Sequence, residues 1–249
     1  MNIAAVLSAL ALPPESRVDQ RVPKKLLVEN GAPTAADKRQ INEGIEEFLW
    51  LAALKPNTIG VPEFRDAERE YLEIAVLSLT LRPVAKPGRL TELIHRAIPY
   101  PALLLAQQSD RVTLSLAHKR WSQGEAGKVV LDGEWVECEL LSHVALPQFL
   151  ASMAVASQPR ANLLTFYQGW LDSLRTFQAA CITGRFEPRT GDESAAARRA
   201  ALAEYDRLTG QIAGLRSQAE RESQIQRRVE LNLEITRLKE SLTKLHDNL

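Results

Sequence analysis

Tyr205, Leu208, Ile212, Leu215 and Ala219 recur at alternating steps of three and four residues. Leu231, Ile235, Leu238, Leu242, Leu245 and Leu249 repeat the pattern without a gap. Such spacing puts every member of a series on one stripe of a helix, the seam of a coiled coil or a helical hairpin. Residues 198–249 are therefore predicted to form a long amphipathic arm that packs against another helix. Between the stripes lies the mostly polar stretch ERESQIQRRVE, residues 220–230, and the second stripe does not keep the phase of the first. The break is either a stutter in one helix or a bend that folds the arm back on itself. Each half covers only about two to three heptads, too little for a lone helix in water, so partner packing must supply most of its stability.

The rest of the chain reads as a soluble body. With 45% hydrophobic and 25% charged residues over 249 positions, it has the composition of a globular protein long enough for one or two cores. Thirty-one basic and 31 acidic residues cancel, which leaves no global field to draw the chain onto nucleic acid or an anionic membrane. Cys138 and Cys181 are too sparse for a disulfide framework or a zinc site and suit a reducing compartment. The apolar start at residues 3–12 lacks a preceding basic segment and is too short to span a bilayer. It is predicted to be a buried first helix stopped by Pro13 and Pro14, and the expected location is cytoplasmic.

Period and punctuation predict an α+β order in residues 1–185. Leu26-Leu27-Val28, led in by Pro23, reads as a short strand. Thr34 and Asp37 form the start signal of a helix over 35–54, with Ile41, Ile45, Phe48, Leu49 and Ala52 inward. Tyr71–Leu81 is β-prone and reads as a strand near the middle of a sheet. A short helix over 89–97 follows. Residues 102–106 and 112–118 are close enough to pair as an antiparallel hairpin through Ser109-Asp110. Further short strands are expected at 127–131 and 134–140, completing a sheet core at 70–140, then helices at 145–156 and 162–181. Adjacent, short-linked strands favour a mixed sheet packed with helices over a doubly wound parallel one. Residues 186–197 read as a linker.

No glycine-rich phosphate loop, HExxH, paired CxxC or GxSxG occurs, and the four histidines share no metal-ligand spacing. His118-Lys119-Arg120 with Trp121 is the densest polar feature. Cations beside an aromatic can hold a phosphate and stack a base, while the plainer reading is a buried strand reaching solvent. Arg21, Lys24, Lys25 and Lys38 are further candidate nucleic-acid contacts, or simply a charged surface. Glu70 and Glu73, with Lys119, form the catalytic candidate of a metal-dependent nuclease or phosphodiesterase, which would need magnesium or manganese. Glu73 sits inside the strand, where a buried carboxylate needs a partner that Lys119 or Arg82 could supply; the plainer counterpart of the whole acidic group is a solvated turn. No other metal or cofactor is expected.

The stretches ALALPPES, RVPKKLL, TAADKRQINEGIEEFLW, KPNTIGVPEF, EREYLEIAVL, LIHRAIPYPALLL, LSLAHKRW, FYQGW and AACITG resemble a bacterial domain-of-unknown-function family, number 4391, over residues 1 to about 185, with the helical arm as a common tail. Members of that family look to be encoded beside helicases and DNA methyltransferases in restriction-modification or antiviral defence gene sets. The resemblance implies an accessory or adaptor subunit of a DNA-processing system. It also implies that the surface around Thr34–Lys38 and His118–Trp121 is the face such a subunit presents. On this reading Tyr205, Leu208, Ile212, Leu215, Leu231, Ile235, Leu238, Leu242 and Leu245 engage a protein partner, either a second copy or a helicase- or methyltransferase-type subunit. The alternatives are the metal-dependent nuclease and a nucleic-acid-binding module.

Overall fold

The chain enters through α1 (Ile3–Leu10), whose first turn Asn2 caps by accepting the Ala5 N–H at 2.9 Å. Val6 and Leu10 are buried, and the helix stops at a left-handed Ala11 ahead of Pro13-Pro14. The computed structural model describes residues 2–188, 192–246 and 249. These fall into two compact units, one through Leu174 and one from Arg175 onward.

In the first unit, β1 (Arg17–Arg21) precedes α2 (Lys24–Gly31), so the strand expected at Leu26–Val28 is helical. Pro23 stands at the N-cap, where a fixed φ suits a helix start, and Leu27 and Gly31 share the buried side at i,i+4 spacing. Gly31 is needed there: a Cβ would lie 2.7 Å from the Ala97 Cβ.

The next helix, α3 (Ala35–Gly44), begins as expected, with Thr34 Oγ1 accepting the Asp37 N–H at 3.1 Å. It ends ten residues earlier than the periodicity predicts, because residues 45–54 form β2 (Ile45–Leu54). Register shifts fall between Ile45 and Glu47 and between Trp50 and Ala52. Each breaks the two-residue alternation, and the apolar positions then imitate helical spacing.

After α4 (Pro56–Ile59), a small ribbon of β3 (Phe64–Arg65) and β4 (Glu70–Tyr71) leads into β5 (Ile74–Leu81). Then come α5 (Pro87–Ala97), β6 (Ala102–Gln108) and β7 (Arg111–Ala117). A second ribbon pairs β8 (Lys119–Trp121) with β9 (Val129–Leu131), and β10 (Val136–Glu139) returns to the main sheet. The sheet order is β1-β2-β5-β6-β7-β10, so the sheet starts well before residue 70. Every neighbouring pair is antiparallel except β5 and β6, which α5 connects as a parallel crossover. The α+β class and the β6–β7 hairpin agree with expectation.

Alternate residues of β5 and β6 explain the continuous apolar run around residue 76. Ala75, Leu77, Leu79, Leu104 and Ala106 pack with Leu27, Ile41, Leu90 and Ile94 from α2, α3 and α5. Val76, Leu103 and Leu105, pointing the other way, are equally buried. A strand covered on both faces has no polar side to show. The opposite cover includes α7 (Leu163–Thr183), reached through α6 (Leu146–Ser152). The Tyr167 hydroxyl accepts the Ala117 N–H at 2.8 Å and donates to the Ala102 carbonyl at 2.7 Å.

The second unit contains the end of α7, α8 (Asp192–Arg221) and α9 (Ile225–His246). Residues 222–224 turn the chain back, so the polar phase break is a bend and the arm is an intramolecular hairpin. Ala179, Leu202 and Tyr205 meet Leu245 and Leu249 at the open end of the pair. The expected linker is shortened by the start of α8 at Asp192, and its residues 189–191 lie outside the described ones. Among the described residues, no helix is long and apolar enough to cross a membrane.

Candidate functional site

The β8–β9 ribbon separates residues that are neighbours in sequence. Successive side chains of a strand point to opposite faces, and Lys119 and Arg120 accordingly go to different places. Lys119, only 2% exposed, donates to the carbonyls of His95 and of Ile98, the latter at 2.9 Å, where α5 ends. Burial draws its ammonium down to about 7, while the negative end of the helix dipole favours keeping the charge. Arg120 instead lines a cleft of about 890 Å3 bounded by the ribbon, the α2–α3 connection and the end of α5.

Arg96, Lys128, Glu134 and Trp135 share that wall. Arg96 pairs with Glu92 at 2.7 Å and Lys128 with Glu125 at 2.9 Å. Arg120 reaches Asp132 only at 3.8 Å, and Asp132 is already held by Arg69 at 2.6 Å. One carboxylate thus stands between two guanidinium groups. Trp135 is half-buried on this wall, two residues before Glu137. Burial raises the Glu137 carboxyl above its ordinary range.

The other sequence candidates are dispersed among separate partners. Glu73 is buried and pairs with Lys55 at 2.9 Å, a partner that neither Lys119 nor Arg82 supplies; Glu70 pairs with Arg65 at 2.9 Å. Glu70, Glu73 and Lys119 therefore each have a different partner. Among the described residues, no three His, Cys, Asp or Glu side chains are grouped to hold a metal ion. Trp121 is half-buried and donates its backbone N–H to the Glu68 carbonyl at 2.7 Å, outside the cleft wall. Lys24 donates to the Asn42 carbonyl at 3.0 Å and to that of Ile45, and Arg82 donates to the Glu43 carbonyl at 3.0 Å. Both cations thus close the end of α3. Burial and the nearby Arg82 and Arg21 lower the Lys24 pKa. Lys25 faces Glu29 at 3.6 Å, and Arg21 and Lys38 are exposed.

His118 belongs to a hydrogen-bonded chain. Its Nδ1 lies 2.5 Å from the Tyr71 hydroxyl and its Nε2 lies 2.8 Å from Gln168 Oε1, so Nε2 carries the proton and Nδ1 accepts from Tyr71. Tyr71 in turn accepts the Lys119 N–H at 3.3 Å. This network fixes β8 and is not part of the cleft wall.

In the arm, Leu208, Ile212, Leu231 and Ile235 are buried within the hairpin, and Tyr205, Leu215, Leu238, Leu242 and Leu245 are half-buried. The predicted seam is thus turned inward. The outer side of α9 instead exposes Ile225 (71%), Val229 (52%) and Leu233 (56%) at four-residue intervals. That series lies within a stretch dominated by charged residues, which hides it from a reading of the main stripe. Arg96, Lys128 and Trp135 were equally unmarked in the sequence, since no local pattern joins them.

A family model, the domain of unknown function DUF4391, matches residues 10–242. No curated protein and no solved structure matches the chain.

Proposed function

The chain belongs to the DUF4391 family, and we propose that this member is a non-catalytic adaptor whose helical hairpin docks onto another subunit. The observation that carries the reading is the outer stripe of α9, where Ile225, Val229 and Leu233 stay exposed although the hairpin has closed its own seam. Apolar residues at i, i+4 and i+8 suit a helix laid into a groove or against a second helix. The expected partner is a helicase- or DNA-methyltransferase-type subunit, the kind the family resemblance implies, in a cytoplasmic restriction or antiviral defence assembly acting on DNA.

Light scattering on the full chain, alone and mixed with a helicase-type subunit of its own system, tests this. A defined complex is expected, and replacing Ile225, Val229 and Leu233 by glutamate should abolish it. Removing residues 198–249 should leave the sheet body folded but unable to assemble. Equal masses for wild type and the triple variant, alone and in the mixture, would overturn the reading.

A further inference from the structure

We propose that the cleft beside the β8–β9 ribbon is a binding site for a nucleotide unit of single-stranded nucleic acid, with phosphate at Arg120 and a base against Trp135. This goes beyond docking through the arm and does not depend on it. The wall presents three cations, Arg96, Arg120 and Lys128, against the single carboxylate of Glu134, while the paired acids Glu92, Glu125 and Asp132 are not part of it. Arg120 is the least compensated of the three. Among the described residues the one carboxylate it reaches, Asp132, is shared with Arg69, which sits more than an ångström closer. A phosphate oxygen would restore the balance between two guanidinium groups and one acid.

Trp135 supplies the other half. It is half-buried in the cleft wall, so packing on its covered part restrains the ring and what it offers a ligand is the indole surface left open. Stacking on a restrained ring is tolerant of base identity and loses little entropy on binding. The volume, about 890 Å3, is that of a small-ligand site and takes a base, a sugar and a phosphate together. Duplex DNA fits poorly, because its bases are stacked on one another and unavailable to Trp135.

Fluorescence anisotropy of a labelled oligothymidylate with the full chain is the test, run at low and high salt. Binding that weakens with salt is expected. Arg120→Gln should weaken it about tenfold and shallow the salt slope by about the share of one phosphate. Trp135→Leu should weaken binding about tenfold, and Trp135→Phe should recover most of it. Lys25→Gln, outside the cleft, should change nothing. Adenosine monophosphate as competitor separates the sources: displacement at concentrations comparable to the strand's own supports the site with a free nucleotide as ligand, and weak displacement supports it with a strand. No binding of either probe, or wild-type binding by both Arg120→Gln and Trp135→Leu, would overturn the proposal. Circular dichroism melting of each variant separates loss of contact from loss of fold.

Discussion

Leu104 in β6 and Leu231 in α9 are both buried leucines, yet their surroundings differ in kind. Leu104 belongs to a strand flanked on both sides and covered on both faces, in a core that draws on α2, α3, α5 and the neighbouring strands. Leu231 belongs to a two-helix seam, and its neighbours Asn232, Leu233 and Glu234 are all exposed. Burial on two faces makes an element indispensable to its unit. Burial on one stripe leaves an element free to take a second partner. The sheet body is thus the rigid part of the molecule, and the arm is the part with surface to spare.

The largest expected effect tests the rigid side. Leu104→Ala should cost about 3–5 kcal/mol, because a closed core collapses little around the cavity. A urea unfolding midpoint compared with that of Leu231→Ala would decide it. The arm substitution should cost about 1–2 kcal/mol, since the seam sits beside solvent and can relax. Equal losses would erase the distinction between the two regions.

Lys119 sharpens the same contrast through pH. Its folded-state value of about 7 lies below the ordinary 10.5, so between these values the unfolded chain holds a proton that the folded chain has released. Stability should therefore rise as pH climbs from about 7 toward about 10.5, and that gain is lost as pH falls through about 7. Lys119→Met should flatten the rise. It should also cost about 1–3 kcal/mol at neutral pH by leaving the His95 and Ile98 carbonyls without their donor. Chemical denaturation across that range would read both effects. Asp37 gives a smaller counterpart at low pH. Arg89 and the Thr34 hydroxyl hold its carboxyl at about 2, so the stability it adds is present above about 3.8 and lost as pH falls toward about 2. Asp37→Asn should remove that step from the acid limb of an unfolding curve.

The two regions were also unequally legible. The arm could be read because one helix stripe repeats locally; its phase break left a stutter and a bend open, and the packing of α8 on α9 decides for the bend. β2 could not, because its bulges let Ile45, Phe48 and Ala52 continue the helical spacing that Ile41 sets in α3, and only pairing with β1 and β5 decides between the two. The candidate site divided in the same way. His118–Trp121 stood out as a cluster, but strand alternation sends Lys119 inward and Arg120 outward. Arg96 and Trp135 come to Arg120 only through the ribbon and the end of α5, contacts that have no signature in the linear sequence. Glu73 was legible as a buried carboxylate in need of a cation, whereas its partner Lys55 depends on where α4 begins.

The smallest expected effect on stability is the most informative about the arm. Val229→Ser with Leu233→Ser removes two exposed apolar side chains that make no part of the buried seam. Surface changes of this kind usually fall within about 0.5 kcal/mol, so thermal unfolding should barely move. Hydrogen exchange along α8 and α9 should be equally unaffected, because the hairpin closes through Leu208, Ile212, Leu231 and Ile235. Binding to a partner subunit, by contrast, should weaken sharply, since each apolar group loses about 25 cal/mol for every Å2 it would have removed from water. A double variant that binds normally would show that the outer stripe is ordinary surface. A variant that unravels the hairpin would show instead that the stripe supports the fold, and the arm would then resemble the body after all.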